Sequence, residues 1–377
     1  MEEISRHTKC KFELVTAYAE KWACILLEFF LKQSGNYKEI AFVDCMCNSG
    51  VYREKGTRAS IYGTPVRVAE VLSKIMQNPK YKNLHARCYF NDLSREKIEE
   101  LKKHMPEETQ NFHLELSAKD GNELLKQVIE QRVSSKKIHY LVFYDPYEAT
   151  IDWEVLTPFI QSWSDIIINH MVSDSVRGLP VAKRSKTQSK YEKTYMTRLT
   201  EISDGNRKEL EQKIKKIIKK TACDKHSQYY VASFPFYNTR KAVVYDLLLC
   251  TSHSKGFQIY KEKAWKIFGG YSSGKNSVKT KIDSKQPEFF SPSELASRKR
   301  TEQTDEDCLG IEDIVNYVIE KFRGSKDVKL DAIWAELSEH PIFPSTGFRK
   351  EIKDCLQQRG CIVHKNSIDF LIPKNKD

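Results

Sequence analysis

The chain lacks any run of about 18 consecutive apolar residues, the length a membrane-spanning helix needs. The most apolar helical segment, Trp22 to Phe30, is interrupted by Glu28 and followed by Lys32, so it reads as a buried helix. The start, Met1-Glu2-Glu3-Ile4-Ser5-Arg6, has no apolar core of a signal peptide, and a cytoplasmic protein is the expectation. No C-x-x-C pair occurs among the ten cysteines at positions 10, 24, 45, 47, 88, 223, 250, 308, 355 and 361. That scatter argues against a zinc site or a disulfide framework and for buried thiols in a reducing compartment. No internal repeat is visible. With 377 residues, one large domain and a smaller one are expected, and a full core can form.

Acid is scarce relative to base. The formal charge is +11 and the pI is near 9.0, which favours a polyanionic partner such as nucleic acid. The excess is clustered in Lys183-Arg184-Ser185-Lys186 with Lys190 and Lys193, in Lys213 to Lys220, and in Arg298-Lys299-Arg300. Each cluster equally suits a solvated helix face or loop.

The span from Tyr271 to Cys308 has few apolar residues and no clear period, so it reads as a partly disordered linker. It divides an upstream domain, 1–270, from a compact unit at 310–377. Upstream, strand and helix signals alternate. Strands are expected at Ile40–Asp44, Ala86–Asn91, Phe112–Leu116, His139–Tyr144 and Asp165–Asn169. Helices are expected at Thr64–Gln77, with Thr64 as cap and Pro65 in the first turn, at Arg95–His104 and at Asn122–Arg132. Tyr229–Phe234 and Val243–Thr251 follow as late strands, the second a candidate antiparallel edge strand. This alternation predicts an α/β fold: a mostly parallel, Rossmann-like sheet with helices on both faces.

Ligands of such sheets sit beyond the carboxyl ends of the strands, so polar residues there carry the functional argument. Asp44 ends the first strand, and Asn48 and Gly50, which tolerate unusual backbone angles, shape the loop after it. Asp92 ends the second strand, where a carboxylate can grip ribose hydroxyls. Asp120 and Asn122 follow the third, in reach of an adenine amino group. Asp145-Pro146-Tyr147 ends the fourth, where reacting groups sit. Structural roles compete at each: a turn or cap at Asp44, a cap at Asp92, an ordinary turn at Asp120-Gly121-Asn122, and packing at Tyr147.

The order acid-loop, acid, Asp-x-Asn, Asp-Pro-Tyr resembles class I S-adenosylmethionine-dependent methyltransferases. The closer resemblance, over most of the chain, is to the three-Cys-motif partner (TcmP) family. It rests on His7-Thr8-Lys9, Lys11, Tyr18 and Trp22, and on Phe42-Val43-Asp44-Cys45-Met46-Cys47-Asn48-Ser49-Gly50. Gly63-Thr64-Pro65, Phe143-Tyr144-Asp145-Pro146-Tyr147 and Ile151-Asp152-Trp153 continue it. Tyr245-Asp246-Leu247 to Thr251-Ser252-His253, with Gly256 and Trp265, complete it. The resemblance implies S-adenosylmethionine held by Asp44, Asn48, Gly50, Asp92, Asp120 and Asn122. It also implies a methyl acceptor at Asp145 and Tyr147, and a radical-SAM-like three-Cys-motif protein as partner. The chain departs from the family at Asn48, where glycine is usual, and at Met46, where a small residue is common.

Residues 310–377 read as three helices and a hairpin, the order of a winged helix: Ile311–Phe322, Leu330–Leu337 and Thr346–Arg359, then strands Cys361–His364 and Ile368–Ile372. Arg349, Lys350, Lys353 and Lys365, with Lys183 and Arg184 upstream, are the candidate phosphate contacts. Glu351 and Asp354 on the same helix suit a protein-docking role instead. Three functions are therefore expected to compete: a methyltransferase acting on or with nucleic acid, a catalytically inactive methyltransferase-fold binding subunit, and a nuclease holding metal on Asp44, Asp92 and Asp145. The last lacks a Glu/Asp-x-Lys pattern.

Overall fold

The computed structural model describes residues 3–32, 38–54, 59–134, 138–179, 185–198, 201, 206–275 and 308–371. It divides into two compact units, Met1–Ser233 with Val243–Tyr260, and Phe234–Ala242 with Lys261–Asp377. Most of the expected linker, together with Lys183, Arg184 and Arg298 to Arg300, lies outside the described residues.

The first unit opens with β1 (Glu3–Ile4) and α1 (Arg6–Lys32), followed by β2 (Glu39–Asp44), β3 (Val51–Glu54) and β4 (Ser60–Tyr62). Next come α2 (Thr64–Met76), β5 (His85–Asn91), α3 (Arg95–Lys102), β6 (Phe112–Ser117), α4 (Gly121–Ser134) and β7 (Ile138–Tyr144). Then follow α5 (Trp153–Ile160), β8 (Asp165–His170), α6 (Val172–Gly178), α7 (Ser185–Tyr195), α8 (Arg207–Ala222), β9 (Tyr230–Tyr237), β10 (Val243–Thr251) and α9 (Ser254–Ile267); β9 from Phe234 and α9 from Lys261 are counted with the second unit. A seven-stranded sheet runs in the order β6-β5-β2-β7-β8-β10-β9. β6, β5, β2, β7 and β8 are mutually parallel, and β10 is antiparallel to β8. The fold is thus mixed α/β around a mostly parallel sheet. β10 is antiparallel, but it lies inside the sheet and β9 takes the edge. A small sheet, β1-β3-β4, has no counterpart in the sequence reading, because its strands are too short to show a period.

The central strand explains itself. Ile40-Ala41-Phe42-Val43 is continuously apolar and buried throughout, as a parallel strand covered on both faces must be. Going outward from β2, β5 and β6 lie on one side and β7 and β8 on the other. The chain order therefore reverses between β2 and β7, and the crevice beyond their carboxyl ends is where a doubly wound sheet binds its ligand.

Helix α1 buries Phe12, Val15, Tyr18, Ala19, Trp22, Leu27 and Phe30, the three- and four-residue spacing of one helical face. The same face carries Lys11, buried despite its charge. Helix α2 starts at Thr64, but its cap is Gly63, in extended backbone and without a side-chain bond; Thr64 does not cap it. Ser94 and Asp152 do cap their helices, accepting the backbone N–H of Lys97 and Glu154.

Asp165, the first residue of β8, is buried and accepts the Tyr18 hydroxyl at 2.8 Å. Burial pushes its carboxyl up to about 6, against the hydrogen bonds from Thr251 and Tyr18. The folded chain then keeps this proton at a pH where the unfolded chain has released it. Stability from this group is present below the unfolded value and lost as pH rises to about 6. The loss amounts to about 3 kcal/mol. We expect Asp165→Asn to flatten that part of the stability profile. Urea midpoints of both proteins across the window check it: an unchanged difference between them at every pH refutes the assignment.

The second unit contains α10 (Ile311–Phe322), β11 (Val328–Lys329), α11 (Leu330–Glu339), α12 (Arg349–Gln358), β12 (Ile362–Val363) and β13 (Ser367–Asp369). Its sheet order is β11-β13-β12, antiparallel throughout. Ile314, Val315, Val318, Ile333, Leu337, Ile352 and Leu356 fill its core, and Trp334 is inward as expected. Helix α12 begins at Arg349 rather than Thr346. Gly347 has φ +82° and Phe348 φ −134°, neither of which a helix admits. Lys261 is buried with its Nζ donating to the carbonyls of Leu337, Ser338 and His340, at 3.2, 2.9 and 2.6 Å. It thereby satisfies acceptors at the carboxyl end of α11.

Among the described residues, no helix is long and apolar enough to cross a membrane. None of the ten cysteines is in a disulfide.

Candidate functional site

The site lies in the first unit, at the carboxyl ends of β5, β2, β7 and β8. Asp44 closes β2, and its Oδ1 accepts the Met46 N–H at 3.3 Å. It is almost wholly buried. Burial holds its carboxyl well above the usual range. Asp145 and Asp92 push the same way, while the Met46 N–H and Lys11 pull down. Asp92 and Asp145 stand two residues past Phe90 and Phe143, the β5 and β7 partners of Asp44, so the two acids flank it on the neighbouring strand ends. Among the described residues, however, no three His, Cys, Asp or Glu side chains form a group able to hold a metal ion.

The loop after β2 makes a tight turn. Asn48 has φ +59° and Gly50 φ +69°, both in the left-handed region. Asn48 adopts this conformation without glycine because its side-chain oxygen accepts the next N–H, that of Ser49, at 2.7 Å. Gly50 has no such latitude. A Cβ there would meet Leu101 Cδ1 at 2.4 Å and Val66 Cγ2 at 3.0 Å.

Asp92 is buried and cross-links two loops: Oδ2 accepts the Asn48 N–H at 3.1 Å and Oδ1 the Ser94 N–H at 2.9 Å. Lys97 Nζ stands 3.9 Å from it. An ionised carboxylate offers about four acceptor sites, so two backbone bonds leave capacity for a ligand hydroxyl. The neighbouring Asn91 is a brace. Its amide donates to the carbonyls of Cys45 and Lys119 and accepts from Ser117 and Lys119.

Asp120 is exposed and its Oδ1 accepts the N–H groups of Asn122 and Glu123, the geometry of a helix cap at the start of α4. Asn122 donates to Asp152 at 3.3 Å and accepts from Tyr144 at 3.4 Å. These two residues adjoin the loop, since a Cβ on Gly121 would touch the Cys45 carbonyl at 2.8 Å.

Asp145 is the most heavily engaged. Lys11 Nζ donates to its Oδ2 at 2.6 Å, and the Asn169 amide donates to Oδ1. Asn169 ends β8 and is buried, and its Oδ1 has no hydrogen-bond partner. Lys11 also lies over the Tyr245 ring at 5.3 Å. Tyr147 is 64% exposed, and its hydroxyl accepts from Asn48 Nδ2 at 3.3 Å and Lys97 Nζ at 3.0 Å. Lys97 sits 5.3 Å from the centre of the same ring. The aromatic thus bridges the loop after β2 and helix α3 instead of packing in the core.

Asn169 and Lys97 are functional candidates that the motifs did not mark, and Lys11 entered only as a position of the family resemblance, with no role assigned. Asn169 could have been found by extending the strand-end rule to the fifth strand. Lys11 is 134 residues from Asp145 in sequence, and no local signal joins them.

The expected phosphate contacts are dispersed. In the second unit Lys350 and Lys365 are exposed and Lys353 is partly exposed. Arg349 packs its guanidinium 5.0 Å from the Trp334 ring and donates to the Ser345 carbonyl. In the first unit, α8 buries Leu210, Ile214 and Ile218, while Lys213 and Lys215 pair with Glu209 and Glu211 one turn back. That half of the cluster is an internally paired helix face; Lys216, Lys219 and Lys220 stay exposed.

No protein-family model matches this chain, and no curated protein matches it either.

Proposed function

We propose that the first unit binds S-adenosylmethionine at the crevice beyond β2, β5 and β7 and acts as a methyltransferase on or with nucleic acid. The observation that carries this reading is the placement of Asp44, Asp92 and Asp145 at adjacent strand ends, with the left-handed turn Asn48–Gly50 bonded to Asp92, at a topological switch point. Asp92 retains acceptor capacity for a ribose hydroxyl, and the left-handed turn brings the Asn48 N–H onto Asp92, which ties the loop to the end of β5. Bound there, S-adenosylmethionine supplies an electrophilic methyl group. The chain's own part is alignment: Asp145, anchored by Lys11 and Asn169, with the buried acceptor Asn169 Oδ1 beside it, orients an amino group, and exposed Tyr147 offers a stacking face. The second unit, read as a winged helix from its order of helices, short strand and hairpin, would contribute Lys350, Lys353 and Lys365 to phosphate contacts. Membership of the three-Cys-motif partner family, with its radical-SAM-like partner, belongs to the same proposal.

A second reading has its own support. Each oxygen of Asp145 already accepts a bond from within the protein, one of them from the Lys11 ammonium, and the Asn48 amide is committed to Tyr147. Those contacts suit a binding subunit of methyltransferase fold that no longer turns over.

Calorimetric titration with S-adenosylmethionine and S-adenosylhomocysteine tests the cofactor. Saturable binding that Asp92→Ala abolishes is expected; no heat at millimolar ligand overturns it. Transfer of a labelled methyl group to RNA or DNA separates the two readings. For the nucleic-acid contact, affinity is expected to fall steeply with salt; a flat profile removes that surface.

A further inference from the structure

At the opposite edge of the sheet the first unit holds a second site. His139 is near the start of β7, Asp165 begins β8, and Ser252 and His253 follow antiparallel β10, so all lie beyond the amino ends of the parallel strands. Strands of this length keep the two edges about 20 Å apart. Helix α1 crosses between them. Lys11 meets Asp145 at one edge, and Trp22, about 17 Å further along the helix, packs near His139 at the other.

The cavity there measures about 480 Å³, within the range of small-molecule sites. Its inner wall is Tyr18, Trp22 and Asp165, all buried, and its mouth carries Trp163, an indole left 55% exposed. Aromatic walls favour a flat ring. The mouth is cationic through Lys225 and Lys255, both exposed, and exposed His253 lines it too, with His226 beside them. His253 Nδ1 accepts the Lys255 N–H at 3.2 Å, which leaves Nε2 as the ring's donor. His226 Nε2 is anchored on the Ile160 carbonyl at 2.9 Å. At the inner wall Asp165, steadied by Tyr18, is an acceptor. The first turn of α9 closes the site tightly: a Cβ on Gly256 would stand 2.9 Å from Tyr18 Oη and 3.7 Å from Asp165 Oδ2.

We propose that this cavity binds a small aromatic acid. The flat ring enters between the aromatic walls, a ring N–H donates to Asp165, and the carboxylate stays at the mouth against Lys225, Lys255 and His253. The site is independent of the methyltransferase reading, since it shares no residue with the crevice at the other edge.

The test is calorimetric titration of the full chain with indole-3-carboxylate, neutral indole and acetate. Indole-3-carboxylate is expected to bind at least about tenfold more tightly than either fragment. Trp163→Ala and the double variant Lys225→Glu/Lys255→Glu, all at exposed positions and so expected to fold, should each weaken it about tenfold. Indole binding as tightly as the acid, variants binding like the parent, or no saturable heat at millimolar acid each overturn the proposal. S-adenosylmethionine titrated into the same variants reads the other site separately.

Discussion

Gly50→Ala is expected to destabilise the first unit by about 2–4 kcal/mol and to abolish cofactor binding. Two costs add. The backbone sits at φ +69°, where an L side chain is strained, and the new methyl group would lie 2.4 Å from Leu101 Cδ1, inside contact distance. Leu101 belongs to α3 and is fully buried, so it cannot swing into solvent. Relief has to come from moving the loop, which carries Asn48 and its bond to Asp92. Urea denaturation of Gly50→Ala, Leu101→Ala and the pair measures the coupling. The pair should recover part of the stability, because the smaller residue leaves room for the methyl group, but not the strain at φ. Strictly additive costs would show that the methyl group and Leu101 never meet.

The sheet was legible because β2, β5 and β7 are strand-like runs with an acid at or directly after their ends. β2 differs from its expected bounds by one residue, and Asp44, Asp92 and Asp145 fall at strand ends, where the alternation put them. What stayed hidden is non-local. Nothing near Asp145 in sequence announces that Lys11 and Asn169 hold its two oxygens. Asp120 looks alike as a ligand or as a cap until its bonds to the N–H groups of Asn122 and Glu123 are seen. The Arg349 side chain, chosen for its charge, turns onto Trp334, because a planar guanidinium stacks well on an indole and the two residues lie on neighbouring helices. The aromatic cavity was not legible as a site, although Tyr18, Trp22, Ser252, His253 and Gly256 carry part of the family resemblance, since its lining comes from five separate stretches of chain.

Replacing Asp145 should separate folding from chemistry, provided its partner is replaced as well. The Lys11–Asp145 pair is largely shielded, with side-chain exposures of 10% and 20%. Removing Asp145 alone strands a buried ammonium, and Asp145→Ala is expected to cost about 3–5 kcal/mol, a loss that could masquerade as lost catalysis. Removing both charges with apolar residues of similar size avoids that penalty and leaves only the buried Asn169 amide without its carboxylate, so Lys11→Met/Asp145→Leu should lose only about 1–3 kcal/mol. The double variant should still bind S-adenosylmethionine, because Asp92 and the Asn48–Gly50 turn are untouched. Methyl transfer should nevertheless vanish, since the anchored carboxylate that orients the acceptor is gone. Three measurements on one protein decide this: a urea midpoint, a cofactor titration and a labelled-methyl assay. Full turnover in a stable double variant would remove Asp145 from the chemistry and leave its ion pair as a structural link between α1 and β7. A parent that binds cofactor but never transfers methyl would favour the binding subunit, with Lys11 occupying the position an acceptor amine would otherwise take.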